Sequence, residues 1–198
     1  MRWNNLFDDL ESQLEHEIGA EDVDLKGEEE RLRLGRLTLR DRLMSIHAAG
    51  AEESIPVRLS LCDGTPLRVA PLAFGKDWMS ATVLDESRRR AQVVVPLWAI
   101  GSITLDRGQI EASLVAPEPE QSRGLAVRLS LAFVLRDLCR RRRATELLLI
   151  GGVLRGTIDR VGRDHCDLAV HESGVARRDA DVVNYRVVPF SQLLLVRM

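Results

Sequence analysis

The sequence predicts a mainly β protein with helices, an α+β fold in which one five-stranded unit occurs twice. Three observations indicate this fold class. The stretch LRVAPLAFGKDWMSATV, beginning at Leu67, has a similar counterpart at Leu154; several short segments alternate apolar and polar residues; and an apolar helical face precedes each of the two stretches. Alternation with a period of two is typical of half-buried strands, whereas a spacing of three and four residues is typical of helices.

The internal repeat consists of two blocks of matching residues in the same order. At an offset of 87 the matched pairs are Gly64 and Gly151, Leu67 and Leu154, Arg68 and Arg155, Gly75 and Gly162, Asp77 and Asp164, and Val83 and Val170. At an offset of 93, VVPLWAI (94–100) matches VVPFSQL (187–193). The six additional residues of the second copy fall in the polar segment SGVARRDADVVNY, as a surface loop would tolerate. Two ordered blocks indicate an internal duplication.

Each copy contains segments typical of short strands. In the first copy these segments are VRLSLCDG, LRVAPLAFG, WMSATVLDES, QVVVPLW and ITL, and in the second copy they include LRGTIDRVG, HCDLAVHES, YRVVPFS and LLLVRM. Pro96 and Pro189 are expected to mark a bend between the fourth and fifth strands, since proline cannot donate to a ladder. Gly75 and Gly162 are expected to adopt a positive φ. Five short, bent strands favour a small closed barrel, because closure removes exposed edges.

A helix is predicted before each barrel. Residues 29–47 place Leu32, Leu39, Leu43 and Ile46 at near-helical spacing, although RLRLGRLTL also alternates as a strand does. In the second copy the apolar face consists of Val127, Leu131, Val134 and Leu138. The predicted organisation is an acidic amphipathic helix and flexible segment at 1–28, a helix and first barrel at 29–113, a linker at 114–123, and a helix and second barrel at 124–198.

A helix followed by five bent strands resembles the Sm-like (SH3-like) small barrel of RNA-binding ring proteins. The residues that carry the resemblance are the turns Asp63-Gly64 and Gly151-Gly152 and the blocks GKDWMSATV and GRDHCDLAV. The whole arrangement is similar to a two-barrel family of high-GC Gram-positive bacteria. The resemblance implies a fold of tandem Sm-like barrels and no particular activity.

The chain departs from the Sm-like RNA site at both of its motifs. In that family the third strand carries an aspartate, then a methionine and an asparagine that contacts the RNA base. Here Met79 and Ser80 occupy the last two places in the first copy, and Cys166 and Asp167 occupy them in the second. The second motif of the family is replaced by Val-Pro-Leu and Val-Pro-Phe. The base-contacting asparagine is therefore absent from both copies.

The two ends of the chain differ in charge. Residues 1–30 contain two basic and eleven acidic residues, a net of −9, so the remaining residues carry +7 of the chain's total of −2. An acidic segment attached to a basic body can mask a binding surface or increase solubility.

The acidic N-terminal segment has one apolar helical face, which consists of Trp3, Phe7, Leu10, Leu14 and Ile18. Three interpretations follow from such a face: docking onto the chain's own basic helix, pairing with a second copy, or binding in a partner's groove. Internal or homodimeric docking is the simplest of them. These five residues are the candidate partner-docking residues.

A run of arginines at the end of the second predicted helix indicates a nucleic-acid surface. The candidate contacts are Arg136, Arg140, Arg141, Arg142, Arg143 and Arg163. Several arginines on one face would bind phosphates. The helix dipole also favours cations at a C-terminus without any ligand, so a purely structural role stands beside the functional one.

No catalytic, cofactor or metal residues are predicted. His165, Cys166, His171 and Cys62 lack the four-ligand spacing of a structural metal site, and Trp78 and Met79 replace the first two in the other copy. Ser173 follows Glu172 and His171, but neighbours at a strand end point in different directions. The sequence therefore excludes the usual enzyme constellations.

Composition favours a cytoplasmic location. No apolar run approaches the roughly 18 residues of a membrane span, the acidic N-terminus does not resemble a signal peptide, and three cysteines show no CxxC spacing. The sequence thus predicts a non-catalytic cytosolic adaptor or regulatory protein that binds a protein partner or itself. The alternative is an RNA- or DNA-binding regulator that uses residues 31–198, with the acidic N-terminus as an autoinhibitory segment.

Overall fold

A computed structural model describes residues 25–50, 55–84, 91–115, 125–172 and 182–198. The chain divides into two compact units, residues 1–38 and 39–198. In the first unit residues 25–36 are helical, and Arg33 pairs with Glu30 at 2.6 Å. The second unit contains all the strands named below. The candidate docking residues Trp3, Phe7, Leu10, Leu14 and Ile18 lie outside the described residues.

The second unit is mixed α and β and consists mostly of strands, as predicted. Its first half contains α1 (Leu39–Ala49), β1 (Val57–Leu61), β2 (Pro66–Phe74), β3 (Trp78–Val83), β4 (Gln92–Pro96), β5 (Ile100–Thr104) and α2 (Arg107–Ser113). Its second half contains α3 (Leu125–Arg128), α4 (Leu131–Arg140), β6 (Ala144–Leu149), β7 (Gly152–Val161), β8 (His165–Val170), β9 (Asn184–Pro189) and β10 (Leu193–Arg197). Each strand segment quoted above overlaps a strand of the structure, whereas β6 was not among the predicted segments.

The strands form one antiparallel sheet in the order β5-β1-β2-β3-β4-β10-β6-β7-β8-β9. Within each half the order is fifth, first, second, third, fourth. The bulge at Pro71–Ala73 in β2 has a counterpart at Ile158–Arg160 in β7, 87 residues later. The two halves therefore share one topology and one bulge position, as copies of a single unit would.

The expectation of two closed barrels is wrong, because the sheet is open. The fourth strand of the first half pairs with the fifth strand of the second half, with Val94 opposite Val196 and Val93 opposite Arg197. In a closed barrel the fourth strand would pair with the fifth strand of its own half. Here the fourth strand of the first half pairs with the fifth strand of the second half. In the sheet built by the described residues, β5 and β9 form the two outer edges.

Two apolar cores lie on either side of this junction and share residues across it. The core around α1 includes Leu194 and Leu195, which belong to β10. The core around α4 includes Trp78 and Val94, which belong to the first half. Because full burial of such a side chain stabilises a fold by about 1.5–3 kcal/mol, each half contributes substantially to the core of the other.

The turns confirm one expectation and correct another. Pro96 and Pro189 end β4 and β9, and a short 3₁₀ turn separates each from the fifth strand, as expected. A positive φ occurs at Gly64, between β1 and β2, and at Gly152, the first residue of β7, and not at Gly75 or Gly162. Each of those two glycines faces a side chain: a Cβ at Gly75 would collide with the buried indole of Trp78, and one at Gly162 would meet the half-exposed imidazole of His165.

Both predicted helices are interrupted, and the sequences around the two interruptions are similar. The helix expected over residues 29–47 breaks at 37–38, and the second breaks at 129–130. The surrounding sequences are Arg-Leu-Thr-Leu (36–39) and Arg-Leu-Ser-Leu (128–131). Ser130 is the N-cap of α4, and Thr38 directly precedes α1. The Ser130 side chain makes no capping hydrogen bond, and the first amide of α4, that of Leu131, donates to Asp77 instead.

Candidate functional site

At the junction between the two halves, β10 pairs with the edge of β4. Val94 of β4 is only 2% exposed, because β10 lies beside it and its side chain packs in the core around α4. Next to it the indole Nε1 of Trp78 donates to the Leu129 carbonyl at 3.0 Å, and the Leu131 amide donates to Asp77 Oδ1 at 2.7 Å. The first half thus covers both a strand edge and a helix start of the second.

The corresponding edge of the second half, β9, is uncovered in the described structure. The offset of 93 places Val187 at the position of Val94, and Val187 is 67% exposed. Tyr185 on the same strand and Val183 just before it are also exposed. A strand edge with free backbone groups and apolar side chains is a template for pairing with another chain.

The opposite edge of the sheet, β5, lies beside a groove of about 570 Å³. Its walls include Leu39 and Ile46 of α1 and Ile110 of α2. Leu39 begins α1 and is 40% exposed, whereas Leu131 begins α4 and is 1% exposed. The groove also has polar walls, which include Arg42, Ser102 and Thr104.

The predicted arginine contacts lie at the C-terminal end of α4 and in the turn between β7 and β8. We call Arg136, Arg140, Arg141, Arg142, Arg143 and Arg163 the arginine surface; all six are exposed. Arg136 Nη2 donates to the Gly162 carbonyl at 3.3 Å, which places the helix next to Arg163. Helix and turn therefore contribute to one basic surface.

Part of the arginine surface is neutralised by Asp137. Arg140 and Arg141 pair with its carboxylate at 2.6 and 2.7 Å. The hydrogen bond from Arg140, together with the charge of Arg141, holds the pKa of Asp137 below its usual value. Arg142 and Arg143 have no ion pair with a described residue, so their charges remain available to a ligand.

The backbone at the end of α4 is unusual at Arg142, which has a φ of 50°. The Arg142 amide bonds to the Cys139 carbonyl and the Arg143 amide to the Leu138 carbonyl, which is the Schellman arrangement. Glycine adopts this left-handed conformation at lower cost than any other residue. An arginine at this position is therefore unfavourable for the backbone alone.

The cysteine and histidine candidates have separate partners. Cys166 is buried, and burial raises the pKa of its thiol to about 12. Cys62 is exposed, and His171 is buried with its Nε2 2.8 Å from the Thr157 hydroxyl. Among the described residues, no group of three or more His, Cys, Asp or Glu side chains is placed to hold a metal ion. Ser173 lies outside the described residues.

The repeated aspartates have different roles in the two copies. Asp77 accepts a hydrogen bond from a backbone amide, but that amide is Leu131, 54 residues away. Asp164 lies 2.8 Å from Nδ1 of His165, and this hydrogen bond lowers the pKa of Asp164. The side chain of Asp77 thus acts on a distant helix start, whereas that of Asp164 contacts its sequence neighbour.

Sequence reasoning missed the exposed apolar residues Val187, Tyr185 and Phe133. Phe133 is 51% exposed and lies one helical turn before Arg136. The signal for β9 was present in the repeat, because the offset of 93 aligns Val187 with Val94. It could be used only once the pairing of β4 with β10 was known.

Within the described residues no helix has both the length and the apolar character that crossing a membrane requires. A scan against protein-family models gives no match, and neither the curated proteins nor the solved structures contain a chain similar to this one at a significant level. The candidate site therefore stands on its own geometry.

Proposed function

We propose that the protein is a non-catalytic cytoplasmic adaptor made of two tandem Sm-like five-stranded units, which binds a protein segment at the β9 edge. The order fifth-first-second-third-fourth in each half supports the Sm-like assignment. Three free cysteines are compatible with a reducing compartment. The adaptor role is inferred from the exposed edge of β9, where another protein segment could pair as a strand.

The observation that carries this proposal is the contrast between Val94 and Val187. The same position of the repeat is covered by a strand in one copy and open to solvent in the other. An added strand would bury Val187, and main-chain hydrogen bonds along β9 would supply further affinity. Apolar burial of this size contributes about 1.5–3 kcal/mol per side chain.

A photo-crosslinking amino acid at position 187 tests the adaptor role in the native host. We expect a covalent adduct with a protein, identified by mass spectrometry after ultraviolet irradiation. The matched control carries the same amino acid at Leu72, which is 46% exposed on β2, an inner strand of the first half. Equal adduct yields at positions 187 and 72 would remove the proposal.

A second candidate function is binding of single-stranded nucleic acid by the arginine surface. Phe133 and Arg136 are three residues apart on α4 and share one side of the helix, so an exposed ring adjoins the cations. An aromatic ring beside arginines is the usual platform on which bases stack. The arginine at the left-handed position 142 also favours a ligand-binding role.

Substitution of Arg142 by glycine separates this function from a structural role. Because glycine suits a φ of 50°, R142G should raise the free energy of unfolding by roughly 0.5–1 kcal/mol and still weaken binding of a fluorescent single-stranded oligonucleotide at low salt. The control is R107Q, at an exposed arginine of α2. Neutralising the acids of residues 1–30 should strengthen binding if that segment is autoinhibitory. Absence of salt-dependent binding by the full chain would exclude this function.

A further inference from the structure

We infer that the groove beside β5 binds an aliphatic carboxylate, with the carboxylate group on Arg42 and the hydrocarbon chain along the apolar walls. The residues that line this groove belong to α1, β5 and α2 or follow β5 directly, at the end of the sheet opposite β9. The inference is therefore independent of the binding role proposed for the β9 edge.

Most side chains that line the groove are aliphatic. They are Leu39, Ile46, Ile100, Ile103, Leu105 and Ile110. Leu39 and Ile110 are 40% and 44% exposed, so part of this apolar surface is in contact with water in the described structure. Small-molecule sites in proteins are concave, mostly apolar and roughly 300–1,000 Å³ in volume. The groove, with a volume of about 570 Å³, has this character.

One cation lies among these aliphatic side chains. Arg42 lines the groove, and none of the described residues that line it is acidic. Its Nη2 and Nε atoms donate to the Ser113 hydroxyl at 2.8 and 3.2 Å. Ser113 is fully buried, and its hydroxyl donates to the Ile110 carbonyl at 2.7 Å. The guanidinium is thus held by a neutral group, and its positive charge is not compensated at this contact.

This arrangement prepares Arg42 for an anion. A guanidinium has five N–H donors in a planar fork that matches a carboxylate. Because Ser113 is a single acceptor, donors remain for a ligand. Because Ser113 also fixes the side chain, a ligand loses less affinity to ordering it.

The other copy of the repeat has no cation at this place. Arg42 is the fourth residue of α1, and the fourth residue of α4 is Val134, which packs against the core around α4. That core also contains Trp78 and Val94 of the first half. An apolar helix face thus accompanies apolar neighbours in the second half, whereas the arginine of the open groove favours an anionic occupant.

Shape and charge together define the ligand as a free medium-chain fatty acid. A small anion would leave the aliphatic walls in water, and an uncharged hydrocarbon would leave Arg42 without a partner of opposite charge. At about 30 Å³ per non-hydrogen atom, roughly the volume of a water molecule, decanoate occupies about 360 Å³ and fits in the groove. The hydroxyls of Ser102 and Thr104, which also line the groove, are further donors for its carboxylate.

Calorimetric titration of the purified full-length chain with decanoate is the first test. We expect saturable binding with a dissociation constant at or below about 100 µM, an affinity that a ligand of this size can reach. Decanol, which lacks the charge, and butyrate, which lacks the long chain, should each bind at least tenfold more weakly. Equal affinities for decanoate and decanol, or no saturable binding of decanoate up to about 1 mM, would overturn the inference.

Substitutions in the walls of the groove test the role of Arg42. R42Q should weaken decanoate binding at least tenfold, because the carboxylate loses its charged partner. The matched control is R107Q, at an exposed arginine of α2, which should keep the wild-type affinity. I110E should also weaken binding at least tenfold, because a second carboxylate in the wall repels the ligand, and the half-exposed position 110 tolerates a charge if R42Q affects folding. Wild-type affinity in either folded variant would contradict the inference.

Amide chemical shifts in the nuclear magnetic resonance spectrum locate the ligand without any substitution. Decanoate should shift the amide resonances of residues 100–105 and leave those of residues 184–188 in β9 unchanged. Shifts confined to the arginine surface would indicate association with exposed arginines and would overturn the inference. Crosslinking at position 187 does not depend on this result, so the two proposals fail separately.

Discussion

Replacement of Val94 by alanine, compared with the same change at Val187, tests the junction between the two halves. Both valines occupy one position of the repeat, but Val94 is 2% exposed and Val187 is 67% exposed. V94A removes two buried carbon atoms, at about 0.8 kcal/mol each, and leaves a cavity between β4 and the core around α4. The expected loss is about 2–3 kcal/mol of unfolding free energy.

V187A removes the same atoms from a position that is mostly in water, so its cost should stay within about 0.5 kcal/mol. Urea unfolding of the dilute full-length chain measures both variants. For a chain of this length V94A should lower the melting temperature by about 5–10 °C. Equal losses for the two variants, or a cost below about 0.5 kcal/mol for V94A, would refute the packing described for this junction.

Three further comparisons use pairs or single sites of the repeat. D77A removes the acceptor at the start of α4 and should cost about 1 kcal/mol in urea unfolding, whereas D164A, at an exposed carboxylate, should leave the urea midpoint unchanged. G75A forces a methyl group against a buried indole and should lower the free energy of unfolding by about 1–3 kcal/mol. In G162A the methyl group meets a half-exposed imidazole that can turn away, so the melting temperature should fall less than in G75A. Burial raises the pKa of the Cys166 thiol from 9.0 to about 12, so its stabilising contribution is complete below about pH 9 and is lost as the pH approaches 12. The unfolding free energy of the wild type should therefore fall more steeply over this pH range than that of C166A.

Strand positions could be predicted because local pattern and final structure agree there. Segments such as QVVVP and WMSATV are β-branched or alternate, and each is bounded by a turn or a proline. The duplication supported these predictions, because every segment could be compared with its counterpart. The fold class and the bends at Pro96 and Pro189 followed from such local evidence.

The helix ends show that the local sequence pattern alone does not determine the secondary structure. The pentapeptide Val-Arg-Leu-Ser-Leu occurs twice, at residues 57–61 and 127–131. The first occurrence is the whole of β1, whereas the second contains a helix end, a break and the first residue of α4. Five residues with identical propensities adopt different structures, so contacts with other segments decide between them. For Leu131 the deciding contact includes Asp77, far away in the sequence.

The candidate edge could not be predicted for a related physical reason. Five strands can satisfy their edges by closing on themselves or by pairing with another unit, and both solutions use the same apolar pattern. We expected each unit to close on itself, but in the structure the first unit pairs with the second through β4 and β10. Only the pairing of β4 with β10 makes the exposure of Val187 informative.

Amide hydrogen exchange of β4 and β9 in the dilute full-length chain tests the central claim most directly, since the claim concerns one repeated unit with a covered and an open edge. An inner strand bonds on both sides, whereas an edge strand leaves part of its backbone unpaired. We predict protection of all the β4 amides at positions 93–95 and rapid exchange of part of the matching set at positions 186–188. Equal protection of the two sets in dilute solution would contradict the account.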